Sequence, residues 1–368
     1  MLEKNHFENR RSLQFTFTKM RVALLAPFEE SVPPSGYGGT ELIVYYLAQN
    51  LTLRGHSVFL FATGDSKTKA KLVPIFPSSL RKKKICQDLK VRETLKYFGV
   101  VKLVQELKKI KVDIIHNHLG WRFLPFASFF SAPTLTTLHQ PLNSPYLKIA
   151  YQRFKNFPFV AISHSQRKNA KGLNFVGTVY NGVDTKELRF CPKPKSDYFA
   201  FLARMSPEKG PLEAILAAKK AKAKLKMAGK VDAVDKEYFE KKVKPLIDGK
   251  QIQFVGELKV KEKSNFLGNA KGLLAPLKWE EPFGLFMIEA MACGTPVIAF
   301  KRGSAPELTV HKKTGFLVKN VSEMAQAIKK IDSIDRRECR DWVEKNFTVE
   351  RMVQEYEKIY EKVVLQKT

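Results

Sequence analysis

Residues 21–26, Arg-Val-Ala-Leu-Leu-Ala, read as a buried-type strand, and the segments after it leave little choice of architecture. A loop, Pro33-Pro-Ser-Gly-Tyr-Gly-Gly39, comes next, and Thr40 stands where a helix cap is expected. Residues 41–54 then place apolar side chains at 42, 43, 46, 47 and 51, the stripe of a helix packed on one face. Gly55-His56 ends that helix, and Ser57-Val-Phe-Leu-Phe-Ala62 is a second apolar strand. Strand, glycine loop, helix and strand make a βαβ unit, and such a unit implies a parallel sheet.

The alternation continues. A helix is expected over 92–109, with strands over 112–116, 133–138, 159–162 and 177–180, and Asn181-Gly182 as a turn. Residues 189–197, with Pro192 and Pro194 among lysines, read as a linker. A second run of the same kind comes after it. Strands are expected over 198–202, 224–228, 251–255, 272–276, 296–300 and 315–318, and helices over 211–222, 261–269, 281–293 and 321–331. A last helix over 349–364 crosses back over the first unit. The expected fold is therefore α/β, with two doubly wound domains over 20–190 and 197–345 and a C-terminal crossing segment over 346–368. Residues 1–19 read as a disordered or extra N-terminal extension, with Met20 as an alternative start. Open α/β sheets bind ligands at the carboxyl ends of their strands, so a cleft between the two units is the expected site.

The chain has 368 residues, 64 Lys and Arg against 36 Asp and Glu, and a net charge of +28. A basic surface attracts nucleotide phosphates, polyanions and anionic membranes alike. The densest runs, Arg81-Lys-Lys-Lys84 and 219–230, also suit solvated helix faces. Helix-turn-helix, zinc-finger and RNP-type signatures are missing, which speaks against specific nucleic-acid binding. No apolar stretch reaches the ~18 residues of a membrane span, since 123–138 is broken by Pro125, Ser128, Ser131 and Pro133. Cys86, Cys191, Cys293 and Cys339 stand apart, against a disulfide framework or zinc site and for a reducing, cytoplasmic compartment.

Glu281-Pro-Phe-Gly-Leu-Phe-Met-Ile-Glu289-Ala-Met-Ala sets one carboxylate at the mouth of a helix and another within its apolar run. A buried carboxylate is costly unless paired, so it needs a ligand, a lysine or backbone amides. Gly36-x-Gly38-Gly39-Thr40 opens the first helix, where glycines let a backbone approach a ligand and the helix end favours an anion. The spacing is not G-x-G-x-x-G, so no nicotinamide cofactor is indicated, and the same loop suits an ordinary turn. Arg204-Met-Ser-Pro-Glu-Lys209-Gly210 holds the equivalent place in the second unit. Two cations there suit a pyrophosphate or a solvated basic turn. His116-Asn-His118 and Thr137-Leu-His139 lie at first-unit strand ends facing the expected cleft. A histidine in such a place serves more often as a polar rim residue than as a catalyst. A His-x-His pair without a neighbouring carboxylate or Cys makes a poor metal site.

Taken in order, these pieces resemble the family 4 retaining glycosyltransferases of GT-B fold, the clan of glycogen synthase and sucrose synthase, and most nearly its avilamycin-glycosyltransferase-like branch. The matching residues are Gly38-Gly39-Thr40-Glu41, Asp113-Ile-Ile-His116-x-His118, Thr137-Leu-His139, Tyr180-Asn-Gly-Val-Asp184, Arg204-x4-Lys209-Gly210, Glu281-Pro-Phe-Gly-Leu285, Glu289-Ala-Met-Ala-Cys-Gly-Thr-Pro296, and Glu307 with Thr314-Gly-Phe316. The resemblance runs from about residue 20 to 362. It implies two Rossmann-like domains facing a central cleft, the first for an acceptor and the second for a nucleotide-sugar donor. Arg204 and Lys209 would hold the donor pyrophosphate. Glu289 would accept from the ribose hydroxyls, and Glu281 would meet a sugar hydroxyl. The amides of Phe283, Gly284 and Leu285 would hold others. Gly38 and Gly39 would let the first-domain loop close on the donor, and His139 would lie beside the reacting sugar. No Asp-x-Asp pair is present, which fits a metal-independent reaction without a cofactor.

The expectation is a retaining glycosyltransferase using a nucleotide sugar, a uridine diphosphate sugar first among them. The acceptor is a glycan, lipid or small molecule, and the basic run at 81–84 would steer an anionic lipid or touch a membrane surface. The other readings are a GT-B-fold nucleotide-sugar epimerase or phosphorylase and a non-catalytic basic binding protein.

Overall fold

The computed structural model describes residues 18–36 and 38–366, so most of the expected extension over 1–19 lies outside the described residues. Thirteen strands are described, and they form two parallel sheets. The first lobe holds β1 (Arg21–Leu25), β2 (Ser57–Thr63), β3 (Lys71–Phe76), β4 (Ile114–Asn117), β5 (Thr134–Leu138), β6 (Phe159–Ala161) and β7 (Phe175–Thr178) in the order β3-β2-β1-β4-β5-β6-β7. The second holds β8 (Tyr198–Leu202), β9 (Lys224–Ala228), β10 (Ile252–Phe254), β11 (Gly272–Ala275), β12 (Val297–Phe300) and β13 (Gly315–Val318) in the order β10-β9-β8-β11-β12-β13. Both orders reverse beside the first strand of their lobe. That is where a doubly wound sheet opens a crevice at its carboxyl edge.

Burial explains why the strands read so plainly. β1 is fully covered after Arg21, and β4, β5, β8 and β11 are covered along their whole length. Helices lie on both faces. Gly39–Leu53 packs Ile43, Val44, Leu47 and Leu51 against the same core as Val22, Leu24 and Leu60. Leu103, Val104 and Leu107 of the Leu89–Leu107 helix cover the opposite face with Leu25 and Phe61.

Several boundaries differ from expectation for physical reasons. The helix expected from residue 281 starts at Leu285, because Pro282 and a left-handed Gly284 (φ 88°) precede it. β7 ends at Thr178 rather than 180. β3 and the helix Arg336–Asn346 are additions to the expected elements.

The C-terminal helix, Val349–Leu365, completes the first lobe's core. Val349, Met352, Val353, Tyr356, Ile359, Tyr360 and Val363 join the cluster of Val22, Leu24 and Ile114. Residues 185–191, leading into the expected linker, are tied to the second lobe by two arginines of the helix Arg336–Asn346. Arg336 donates to the carbonyls of Cys191 (2.7 Å), Gly268 (2.7 Å) and Ala270 (3.0 Å). Arg340 donates to those of Leu188 (2.7 Å), Ala292 (2.7 Å) and Thr185 (2.9 Å). Among the described residues, no helix is long and apolar enough to cross a membrane.

Candidate functional site

A cavity of about 440 Å³ lies between the lobes, lined by the carboxyl ends of both sheets and the loops that extend from them. The loop after β1 brings in Gly36, Gly38 and Gly39, and the loops after β4 and β5 bring His118 and His139. From the second lobe, the turn after β8 brings Lys209, and the loop after β11 brings Glu281, Phe283, Gly284 and Leu285. Glu289 lines it one turn further along the Leu285–Ala292 helix. Nine of the ten residues singled out from sequence therefore share one cavity.

Arg204 is the tenth and does not line it. Its guanidinium is turned onto Glu208 and lies 3.4 Å from Asp235. The diphosphate contact that the resemblance implies for Arg204 would need it to turn away from these two acids.

Lys209 is buried, and its ammonium is paired with the equally buried Glu281. Trp279 donates its indole N–H to the same Glu281 oxygen at 2.8 Å. The Lys209 ammonium also sits 4.6 Å from the Trp279 ring centre, over its electron-rich face. A cation and a carboxylate removed from water are worth holding only with such support. The loop around Glu281 is rigidly backed by Gly303 (φ 57°), where an added Cβ would stand 2.4 Å from the Glu281 nitrogen. Ser304 donates its backbone N–H to the Glu281 carbonyl at 3.0 Å and its hydroxyl to that of Phe283.

Glu289 is buried, as the apolar residues around it require, and it has a lysine partner. Lys263 Nζ lies 3.2 Å from its Oε1. The two helix starts face each other across the gap. A Cβ added at Gly39 would meet Leu285 Cδ1 at 3.5 Å, an ordinary contact, whereas one at Gly38 would stand 2.6 Å from Pro34. Gly38 is thus the position that sterically demands glycine.

The histidines form a stack. His116 is fully buried in β4, held by the hydroxyl of Tyr360 at Nδ1 (2.7 Å) and that of Thr137 at Nε2 (2.7 Å). Its ring centre is 4.0 Å from that of His118. His118 Nδ1 meets His139 Nε2 at 2.8 Å. Burial pushes the His139 imidazole down to about 4 and holds His116 and His118 well below their ordinary value. All three are neutral at physiological pH.

Among the lining residues that sequence reasoning missed are Glu41, Lys230, Lys263 and Arg81. Glu41, in the first turn of Gly39–Leu53, is buried, and burial with help from Glu29 pushes its carboxyl up to about 8. It stands in the Gly-Gly-Thr-Glu motif, but its burial shows only in three dimensions. Lys263 carries no local signal, and Lys230 only closes the basic run 219–230. Arg81 does belong to the basic run at 81–84, yet that run is not one patch. Arg81 turns into the cleft beside Glu30 (3.2 Å), Lys82 pairs with Asp65 (2.8 Å), and Lys83 lies over Phe76. Among the described residues, no group of three or more His, Cys, Asp or Glu is placed to hold a metal ion.

Comparison with known proteins agrees with this layout. Residues 37–187 match the Glycosyltransferase Family 4 model, and residues 185–347 match Glycosyl transferases group 1. The N-acetyl-alpha-D-glucosaminyl L-malate synthase of Bacillus anthracis is 34% identical over 126 residues, 30% of this chain. The matched region spans 33% of that protein's length. In structure, AviGT4, a glycosyltransferase of avilamycin A biosynthesis, superposes with a TM-score of 0.72 at 21% identity over 94% of this chain and 98% of its own. HepE of Anabaena, solved in complex with UDP and glucose, gives 0.73 at 21% identity over 93% and 100%. The GT-B fold expected from the sequence is the fold the chain has.

Proposed function

The chain belongs to the family 4-like glycosyltransferases of GT-B fold, and from that premise we propose that it moves a sugar from a nucleotide-sugar donor, a uridine diphosphate sugar first among them, to an acceptor held by the first lobe. The observation that carries this reading is Lys209. It is a buried ammonium at the carboxyl end of β8, in a cleft where glycine-opened helix starts of both lobes converge.

Breaking the bond between sugar and phosphate places negative charge on the departing diphosphate. Fixed donors aimed at that charge are the largest catalytic contribution in such sites. Lys209, already desolvated, supplies one, and the amides opening the Leu285–Ala292 helix supply others. Arg204, once rotated from Glu208, adds a bidentate contact. Glu281 and Glu289 are acceptors for hydroxyls of sugar and ribose, and each is paired with a lysine, Lys209 and Lys263 respectively. HepE, with its bound UDP and glucose, supports a uridine diphosphate donor.

We read the reaction as retaining and metal-independent, needing no cofactor. The leaving phosphate takes the acceptor's proton as the acceptor attacks the same face, so no protein nucleophile is required. The dispersed free cysteines fit a cytoplasmic setting.

The test is direct. UDP-glucose and related donors should raise the melting temperature of the purified protein, since ligand at 100 times its Kd adds about 2.7 kcal/mol. The wild type should hydrolyse or transfer the effective donor. Lys209→Ala should lower kcat by about 100-fold while the fold is kept, the scale of losing one preorganised donor. No shift with any nucleotide sugar, or full turnover in the variant, would end this reading.

A further inference from the structure

His118 is 4% exposed, and its Nε2 has no hydrogen-bond partner. Its other ring nitrogen, Nδ1, is 2.8 Å from His139 Nε2. Both rings are neutral because they are buried. Two neutral imidazoles joined through one N···N contact share a single hydrogen there, so one ring donates and the other accepts. If His139 donated, His118 would carry its own hydrogen on Nε2, where nothing receives it. If His118 donates, the unsatisfied atom is a lone pair. A buried N–H without an acceptor is the rarer and costlier orphan. The second arrangement also fixes the rest of His139. With Nε2 accepting, its hydrogen sits on Nδ1, which no described residue engages, and the ring lines the cleft.

We infer that His118 is a positioning residue that locks His139 in the tautomer with its hydrogen on Nδ1, so that His139 offers the bound substrate a hydrogen-bond donor and not a base. The stack behind it keeps this geometry. His116 packs on the His118 ring at 4.0 Å and is itself fixed by Tyr360 and Thr137, with Tyr356 3.0 Å from the Thr137 hydroxyl. The inference rests on the cleft being a sugar-nucleotide site only in naming what His139 faces, since the tautomer belongs to the protein alone.

The experiment uses ligand-free full-length protein carrying nitrogen-15 histidine, with the His139 signals assigned through His139→Asn. Two-bond nitrogen–proton spectra at pH 7.5 should show His139 with protonated Nδ1 and bare Nε2, and His118 likewise. His118→Asn keeps an N–H where Nδ1 was and should retain the His139 pattern. His118→Phe should abolish it. With UDP-glucose as donor, His118→Phe should lose about tenfold in kcat/KM, the scale of one lost or misdirected hydrogen bond, and His118→Asn should restore most of it. A wild-type His139 protonated on Nε2 overturns the inference, as does an unchanged His139 spectrum in His118→Phe. Should that variant not fold, the wild-type and His118→Asn spectra decide. Absent turnover of any sugar nucleotide by the wild type counts against the proposed function, and the spectra still decide the tautomer.

Discussion

Glu41 illustrates what a single residue's surroundings do to its chemistry. Folded, it holds its proton up to about pH 8, against 4.5 for the ordinary group. Between those values the folded chain binds more protons than the unfolded one, so this residue's contribution to stability falls as pH rises. Glu41→Gln cannot ionise. Its melting temperature relative to wild type should therefore climb from pH 5 to pH 8, and parallel curves for the two proteins would show that Glu41 is not buried as a neutral acid. The sequence makes Glu289 legible as a buried carboxylate, because the residues around it are apolar. It cannot name Lys263 as the partner, since that lysine comes from another helix and no local pattern joins the two. The same holds for Lys209 and Glu281. Each stands out within its own motif, but their direct pairing comes from the adjacency of β8 and β11.

At the scale of elements, legibility tracks burial. Strands covered on both faces are written as apolar runs and can be read directly. β3 carries Pro74 and is largely unburied. It is the edge strand of its sheet, where a proline costs no ladder bond and polar residues are tolerated, so its sequence lacks the usual signature. The helix Arg336–Asn346 hides for a related reason. It buries only Cys339 and Val343, and its arginines spend their hydrogen bonds on distant carbonyls. The C-terminal helix is legible, and its anchor is Glu357, which accepts two bonds of 2.8 Å from Arg54 and one contact of 3.0 Å from His56. Its side chain is 2% exposed. Replacing it, as Glu357→Gln, should cost about 2–3 kcal/mol in denaturant unfolding, as expected for charged hydrogen bonds lost from a buried carboxylate. A loss below about 0.5 kcal/mol would place this pair among surface ion pairs of little consequence.

For the whole molecule, the joint between lobes has a specific clasp. Glu307 of the second lobe accepts the backbone N–H groups of His164 (2.8 Å) and Ser165 (2.7 Å) and the hydroxyl of Tyr180 (2.9 Å) in the first. Glu307→Ala should let the cleft open, seen as a larger radius of gyration in solution scattering and a weaker Kd for UDP-glucose. An unchanged scattering profile together with unchanged affinity would show that the clasp does not set the lobes' spacing. This tie is invisible in the sequence, where Glu307 is one motif residue among several, because it depends on how two independently legible lobes meet. Gly182 records the other meeting point. A Cβ there would stand 2.3 Å from the Thr348 carbonyl, so Asn181-Gly182 is less a turn than a doorway for the returning chain. That return has a temporal side. Residues 349–365 leave the ribosome after every strand of the second lobe, so the earlier-made lobe is the later one to be sealed. During synthesis the core around Val22, Leu24 and Ile114 has only its own lobe for cover, the helix Gly39–Leu53 included, while a complete neighbour assembles beside it, and the nascent first lobe is the natural client for any factor that shelters apolar surface.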